Sequence, residues 1–151
     1  MTGKRIYLDW NATAPLRPEA KAAMAEAWDL AGNPSSVHSE GRAARRMVED
    51  ARAVLAAATG AKPHNVIFTS GGTEANALAL APGLHLGGGE PLMRLMVSAV
   101  EHPSVLAGGR FAGTGIVRVP VDRSGVVDIA RLEAMLAQEP PALVSVMLAN
   151  N

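Results

Sequence analysis

The chain has 151 residues, its 14 basic and 14 acidic side chains balance to zero formal charge, and it contains no cysteine. That length suffices for one domain with a sizeable core. The charge balance argues against a nucleic-acid or phospholipid partner, and the missing thiol excludes disulfides, a catalytic cysteine and thiolate metal ligation within these residues.

The first residues, Met1 to Arg5, run straight into a strand-like Ile6-Tyr7-Leu8 without the pattern of a signal peptide. No stretch approaches the roughly 20 apolar residues of a membrane span, so a soluble, cytoplasmic protein is expected. Asp9-Trp10-Asn11-Ala12-Thr13-Ala14-Pro15 forms a distinctive arm to which composition assigns no job. A helical pattern covers Pro18–Ala31. The polar segment Asn33-Pro34-Ser35-Ser36-Val37-His38 reads either as a turn with a cap for the next helix or as a functional loop carrying His38.

A second helix is expected over Glu40–Thr59, capped near Ser39 and stopped by Gly60. Its core face would hold Ala44, Met47, Val48, Ala51, Val54, Leu55 and Ala58. The basic cluster Arg42, Arg45 and Arg46 sits beside Glu40, Glu49 and Asp50, and reads as a solvated face.

Val66–Thr69 is an apolar run expected to form a strand, followed by the turn Ser70-Gly71-Gly72-Thr73 and a helix from Glu74. Glycines allow close approach of a ligand to the backbone. A helix start offers N–H groups and a positive dipole end, supplemented here by the Thr73 hydroxyl. The arrangement suits an anion such as a phosphate, and a plain tight connection is the other reading.

Further strands are expected at Leu95–Ala99, Ile116–Pro120 and Leu143–Leu148, with helices at Pro103–Gly108 and Asp128–Gln138 and a glycine-rich loop at Gly87–Gly89. Strands that are apolar throughout, alternating with helices, indicate an α/β fold with a mostly parallel, mixed sheet covered by helices. The first two helices precede this sheet, and the sequence stops at Asn151 directly after a core strand. Helices so placed would pack elsewhere or against a partner, and a stop at that strand leaves one crossover unmade, as in a truncated domain.

His102 lies just past the carboxyl end of the Leu95–Ala99 strand, where ligands bind in open α/β sheets and where the Thr73 turn also points. Its imidazole could stack on a planar group or shuttle a proton, or could satisfy backbone groups at the helix start beside Pro103. Asn150 and Asn151 end the last strand and could orient a ligand oxygen or form a turn. His64 and His85 stand in polar loop settings, and the four histidines have no metal-ligand spacing.

Several segments together resemble the N-terminal part of the cysteine desulfurases, in the class V branch of the fold-type I pyridoxal-phosphate enzymes. They are Tyr7 to Pro15, Gly32-Asn33-Pro34-Ser35-Ser36-Val37-His38, Phe68 to Asn76, Glu101-His102-Pro103-Ser104-Val105, and Met147-Leu148-Ala149-Asn150-Asn151. The resemblance implies that residues 1–15 are an arm associated with the small domain and that 16–151 open the large, cofactor-binding domain. It places Gly72 and Thr73 at the phosphate of pyridoxal 5'-phosphate, and His102 over its ring with a part in proton movement. Asn151 would lie by the phenolic oxygen and the substrate, and Asn33 at the substrate entrance. Trp10-Asn11-Ala12 and Ala77 depart from the usual wording of two motifs.

The family's Schiff-base lysine, pyridine-pairing aspartate, substrate arginine and nucleophilic cysteine fall beyond the matched segments, and Lys4, Lys21 and Lys62 fit no part of the lysine motif. The expected activity of the parent protein is therefore conversion of L-cysteine to L-alanine, with an enzyme persulfide passed to an iron–sulfur scaffold or a thiolation acceptor. This chain alone would be inactive. The parent would be a homodimer. A selenocysteine lyase, another class V aminotransferase, or a non-catalytic fragment are the competing expectations.

Overall fold

Proline tolerates the first turn of a helix because its missing N–H would have no partner there, and helix α1, Pro18–Trp28, starts on Pro18. In the computed structural model the described residues are 5–85, 87–111, 113–138 and 140–149. They divide at Phe68/Thr69 into two units.

The first unit is helical. Helix α2, Ser39–Thr59, begins one residue earlier than expected, and the residue that caps it is His38. The His38 Nδ1 accepts from the Gly41 N–H at 3.3 Å, while the Ser39 hydroxyl is turned to the Glu40 carboxylate at 2.9 Å. Gly60 ends the helix in the left-handed region at φ 68°, where a side chain would be strained. The N–H of Ala61 then reaches back to the Ala56 carbonyl at 2.9 Å, closing a Schellman turn. Gly41 has a packing reason to be glycine. A Cβ there would stand 2.5 Å from the Ser36 carbonyl oxygen and 2.8 Å from that of Asn33.

Of the apolar stripe expected to form the core face of α2, Ala44 is buried, whereas Met47, Val54 and Leu55 are exposed. A stripe becomes core only where another layer faces it, and at Met47, Val54 and Leu55 the side chains stay exposed.

Two expected strands are extended segments without a ladder. Ile6 and Leu8 are exposed, and the chain instead turns around Asp9, which accepts from the Tyr7 hydroxyl and the Ala12 N–H. Val66 has extended dihedrals, but its carbonyl accepts from the Arg52 guanidinium. The same guanidinium lies 4.9 Å from the centre of the Phe68 ring, a cation–π contact.

The second unit contains the sheet. Its elements are α3 (Gly72–Ala79), β1 (Arg94–Ser98), α4 (Pro103–Leu106), β2 (Ile116–Val119), α5 (Ile129–Leu136) and β3 (Ala142–Ser145). The strands are parallel in the order β2-β1-β3, with Leu95 opposite Ile116 and Leu143. Two isolated antiparallel bridges, Leu84 with Leu92 and Val121 with Val127, stand outside it.

The central strand is buried on both faces, as its unbroken apolar run predicts. Leu95 and Val97 pack with Leu80, Val105 and Phe111, flanked by Leu106, Ile116 and Leu143. On the alternate face, Arg94 extends its guanidinium to the carbonyls of Gln138 at 2.7 Å and Met135 at 3.3 Å. A cation thereby meets the negative end of α5. Helices thus lie on both faces of an α/β parallel sheet, as expected.

Among the described residues, no helix is long and apolar enough to cross a membrane.

Candidate functional site

The start of α3 is an open, uncapped turn. Gly71 precedes it in extended conformation and supplies no side-chain cap, so the N–H groups of the first turn remain pointed outward. A Cβ added at Gly71 or Gly72 would meet no atom within 4 Å, so the space before the turn is open. Thr73, also exposed, adds a hydroxyl to these donors.

Glu74 holds the turn in shape from within. Its Oε2 accepts from the Ser70 N–H at 2.6 Å and from the Ser70 hydroxyl at 2.8 Å. Those two bonds, the backbone one first, hold the carboxyl below the ordinary glutamate range. Thr69 adds a hydroxyl bond to the Gly71 carbonyl at 3.1 Å.

His102 leaves the carboxyl end of β1 and caps α4, with Pro103 as the first helical residue. Its Nδ1 accepts from the Ser104 N–H at 3.1 Å and lies 2.7 Å from the Ser104 Oγ. Asn76, one turn into α3, donates from Nδ2 to that same Oγ at 2.8 Å. The turn and the imidazole are therefore tied together: Asn76 sits about 6 Å along the helix axis from Gly72, and its amide reaches the residue that holds His102.

Next to His102 in the chain, Glu101 is buried, and its Oε1 accepts from the Ser145 hydroxyl of β3 at 3.1 Å. This bond joins the segment just past the carboxyl end of β1 to the last residue of β3.

Of the residues singled out from sequence, Gly72, Thr73 and His102 fall in this second unit. Asn33 belongs to the first unit, where its Oδ1 accepts from the Ser35 N–H at 2.9 Å and its carbonyl from the Ser36 N–H at 2.9 Å. That is the turn its composition suggested, and it sets up the His38 cap. Asn150 and Asn151 lie outside the described residues. His64 is the middle residue of the short 3-10 turn Pro63–Asn65, and the His85 Nδ1 lies 2.9 Å from the Gly89 carbonyl. Among the described residues no cluster of three metal-ligating side chains occurs.

Sequence reasoning gave Asn76, Ser104, Glu101 and Ser145 no role. A signal existed for Ser104: His-Pro-Ser places a capping residue, a first-turn proline and a hydroxyl at a helix start. Nothing local marks the partnership of Asn76 with Ser104, or of Glu101 with Ser145, because each joins residues far apart in the chain. A groove of about 500 Å³ beside β2 and α5, lined by Val117, Arg118, Arg131 and Met135 among others, includes none of the expected site residues.

Residues 6–151 match the family described as aminotransferase class-V. The chain is 41% identical over 152 residues to "Cysteine desulfurase IscS" of Dictyoglomus turgidum, covering 98% of this chain and 38% of that protein. It is 42% identical over 153 residues to "IscS-like cysteine desulfurase" of Mycobacterium tuberculosis, covering 96% and 39%. Human "Selenocysteine lyase" is 37% identical over 173 residues, covering 98% and 38%. Among solved structures, a NifS-like protein from Rickettsia africae superposes with a TM-score of 0.79 at 36% identity, over 96% of this chain and 40% of that one. The chain thus spans about two fifths of the length of these relatives.

Proposed function

The chain belongs to the class-V aminotransferase family, and from that premise we propose that the whole protein is a pyridoxal-phosphate-dependent cysteine desulfurase. The observation that carries this reading is the pairing of an open, donor-rich helix start at Gly72-Thr73 with a capped imidazole at His102, tied through Asn76 and Ser104. Those donors fit the cofactor's phosphate: the turn is exposed, unencumbered, and ends in a hydroxyl. Bound there, pyridoxal phosphate would supply an electron sink for chemistry at the α-carbon of an amino acid.

In this reading the first-turn N–H groups and the Thr73 hydroxyl would hold the phosphate. His102 would lie at the cofactor ring and would hold or deliver a proton at Nε2, the nitrogen left over from its capping bond. Asn33 borders the substrate entrance and Asn151 the phenolic oxygen. Residues 1–15 form an arm on the small domain, and 16–151 belong to the large domain.

The net reaction would take L-cysteine to L-alanine, the sulfur leaving on a protein thiol as a persulfide for an iron–sulfur scaffold or a thiolation protein. That thiol is not within these residues, which contain no cysteine. Nor do Lys4, Lys21 and Lys62 fit the family's cofactor lysine. On its own the 151-residue chain is expected to be inactive, and the whole protein to act in the cytoplasm as a homodimer.

Similar identity to desulfurases and to a selenocysteine lyase, 41% and 37%, supports a second reading in which selenocysteine is the preferred substrate.

The test is the whole protein, purified and given L-cysteine and L-selenocysteine in parallel, with alanine release and the pyridoxal chromophore followed together. The reading expects a bound chromophore and alanine from cysteine. Thr73→Ala should weaken cofactor retention about tenfold or more, the loss of one hydrogen bond to a charged group. A protein that binds no pyridoxal phosphate would end this proposal, and strong preference for selenocysteine would shift it to the second reading.

A further inference from the structure

His102 has a structural duty at α4, and that duty determines where its proton sits. A backbone N–H can only donate, so the bond from the Ser104 N–H at 3.1 Å requires a bare lone pair on Nδ1. The neutral ring therefore carries its single proton on Nε2. Ser104 Oγ is 2.7 Å from the same nitrogen. Since Nδ1 has no proton to give, the hydroxyl must donate to it. This leaves only lone pairs on Oγ for a third partner, and the Asn76 amide N–H occupies one at 2.8 Å. Polarity thus runs one way: Asn76 N–H to Ser104 oxygen, and Ser104 O–H to His102 Nδ1. The order is imposed at one end by a backbone amide that cannot reverse.

We propose that the Ser104 backbone N–H holds His102 as the Nε2–H tautomer, and that the Ser104 hydroxyl and Asn76 are positioning groups that set the ring's attitude at the cofactor site. The proton that His102 exchanges during turnover is then the one on Nε2. The tautomer rests on geometry alone, whereas its use in turnover rests on the pyridoxal reading above.

Two substitutions separate orientation from tautomer. In Asn76→Asp the carboxylate can only accept, so it draws the Ser104 O–H toward itself and turns an oxygen lone pair toward Nδ1. That competes with the cap and favours a proton on Nδ1. Ser104→Ala keeps the backbone bond, and hence the tautomer, but leaves the ring held by one bond. Ser104→Thr restores the hydroxyl.

The experiment is ¹⁵N NMR of the whole, cofactor-loaded protein labelled at histidine, with His102 assigned by its loss in His102→Gln, alongside steady-state kinetics. The wild type should show an unprotonated Nδ1 and a protonated Nε2. Asn76→Asp should move Nδ1 toward the protonated form. Ser104→Ala should keep the wild-type pattern yet lower kcat on the order of tenfold at unchanged KM, with recovery in Ser104→Thr. That is well short of the roughly 10⁴-fold cost of a wrong tautomer in a serine-protease triad. A proton on Nδ1 in the wild type, an unchanged spectrum in Asn76→Asp, or a Ser104→Ala kcat within about twofold of wild type would each overturn the proposal. The expected nitrogen pattern in a protein that binds no pyridoxal phosphate would remove the functional reading and still support the assignment of the tautomer.

Discussion

At the residue scale, the structure shows the capping reading of His102. The imidazole satisfies a backbone donor at the start of α4, as a histidine beside Pro103 can, and by doing so it frees Nε2 for other use. Glu74 shows the same economy in the neighbouring turn. Because its carboxyl is held below the ordinary range by the Ser70 N–H and hydroxyl, its contribution to the turn is fully present above the ordinary glutamate pKa of about 4.3. It is lost only as the pH falls through the lower, folded value. A titration of the Ser70 amide by NMR should give a midpoint below that of an ordinary glutamate, and Glu74→Gln should abolish the transition. A midpoint at or above the ordinary value would contradict the assignment. The carboxylate is exposed, so the effect belongs to the turn's geometry rather than to global stability.

At the element scale, helix ends were readable where the signal is chemical and local. Gly60 ends α2 in the left-handed conformation that glycine favours. Asp128, expected as the first helical residue, is instead the cap of α5, its Oδ1 accepting from the Arg131 N–H at 2.9 Å. Asp128→Ala should lower stability by about 1 kcal/mol, seen as a reduced denaturant midpoint at unchanged slope. No change in midpoint would mean that α5 is held by packing and by Arg94 at its other end. The cap of α2 was placed at Ser39 and is His38, because the imidazole reaches the Gly41 N–H while Ser39 is engaged by Glu40. Ile6–Leu8 and Val66–Thr69 have strand composition without a ladder. Composition records a preference for extended backbone, and a ladder needs a second strand at about 4.8 Å.

At the scale of the whole molecule, the parallel sheet was legible from its continuous apolar strands, and β1 proved to be the central one. Leu95 has no exposed surface and sits in the cluster with Leu80, Val105 and Phe111. Leu95→Ala should cost about 2–5 kcal/mol, measured by urea unfolding, whereas a loss below about 1 kcal/mol would mean the cluster closes over the gap.

The sequence by itself determined the α/β class, the helix before each strand of the sheet, the glycine turn at Thr73 and the placement of His102 at a strand's end. These follow from periodicity and from backbone chemistry acting over a few residues. Strand order, the contact of Arg94 with the end of α5, the Asn76–Ser104 bond and the burial of Glu101 against Ser145 were decided only by tertiary structure. Each joins groups tens of residues apart, and a hydrogen bond depends on distance and direction in space, which local sequence pattern does not encode.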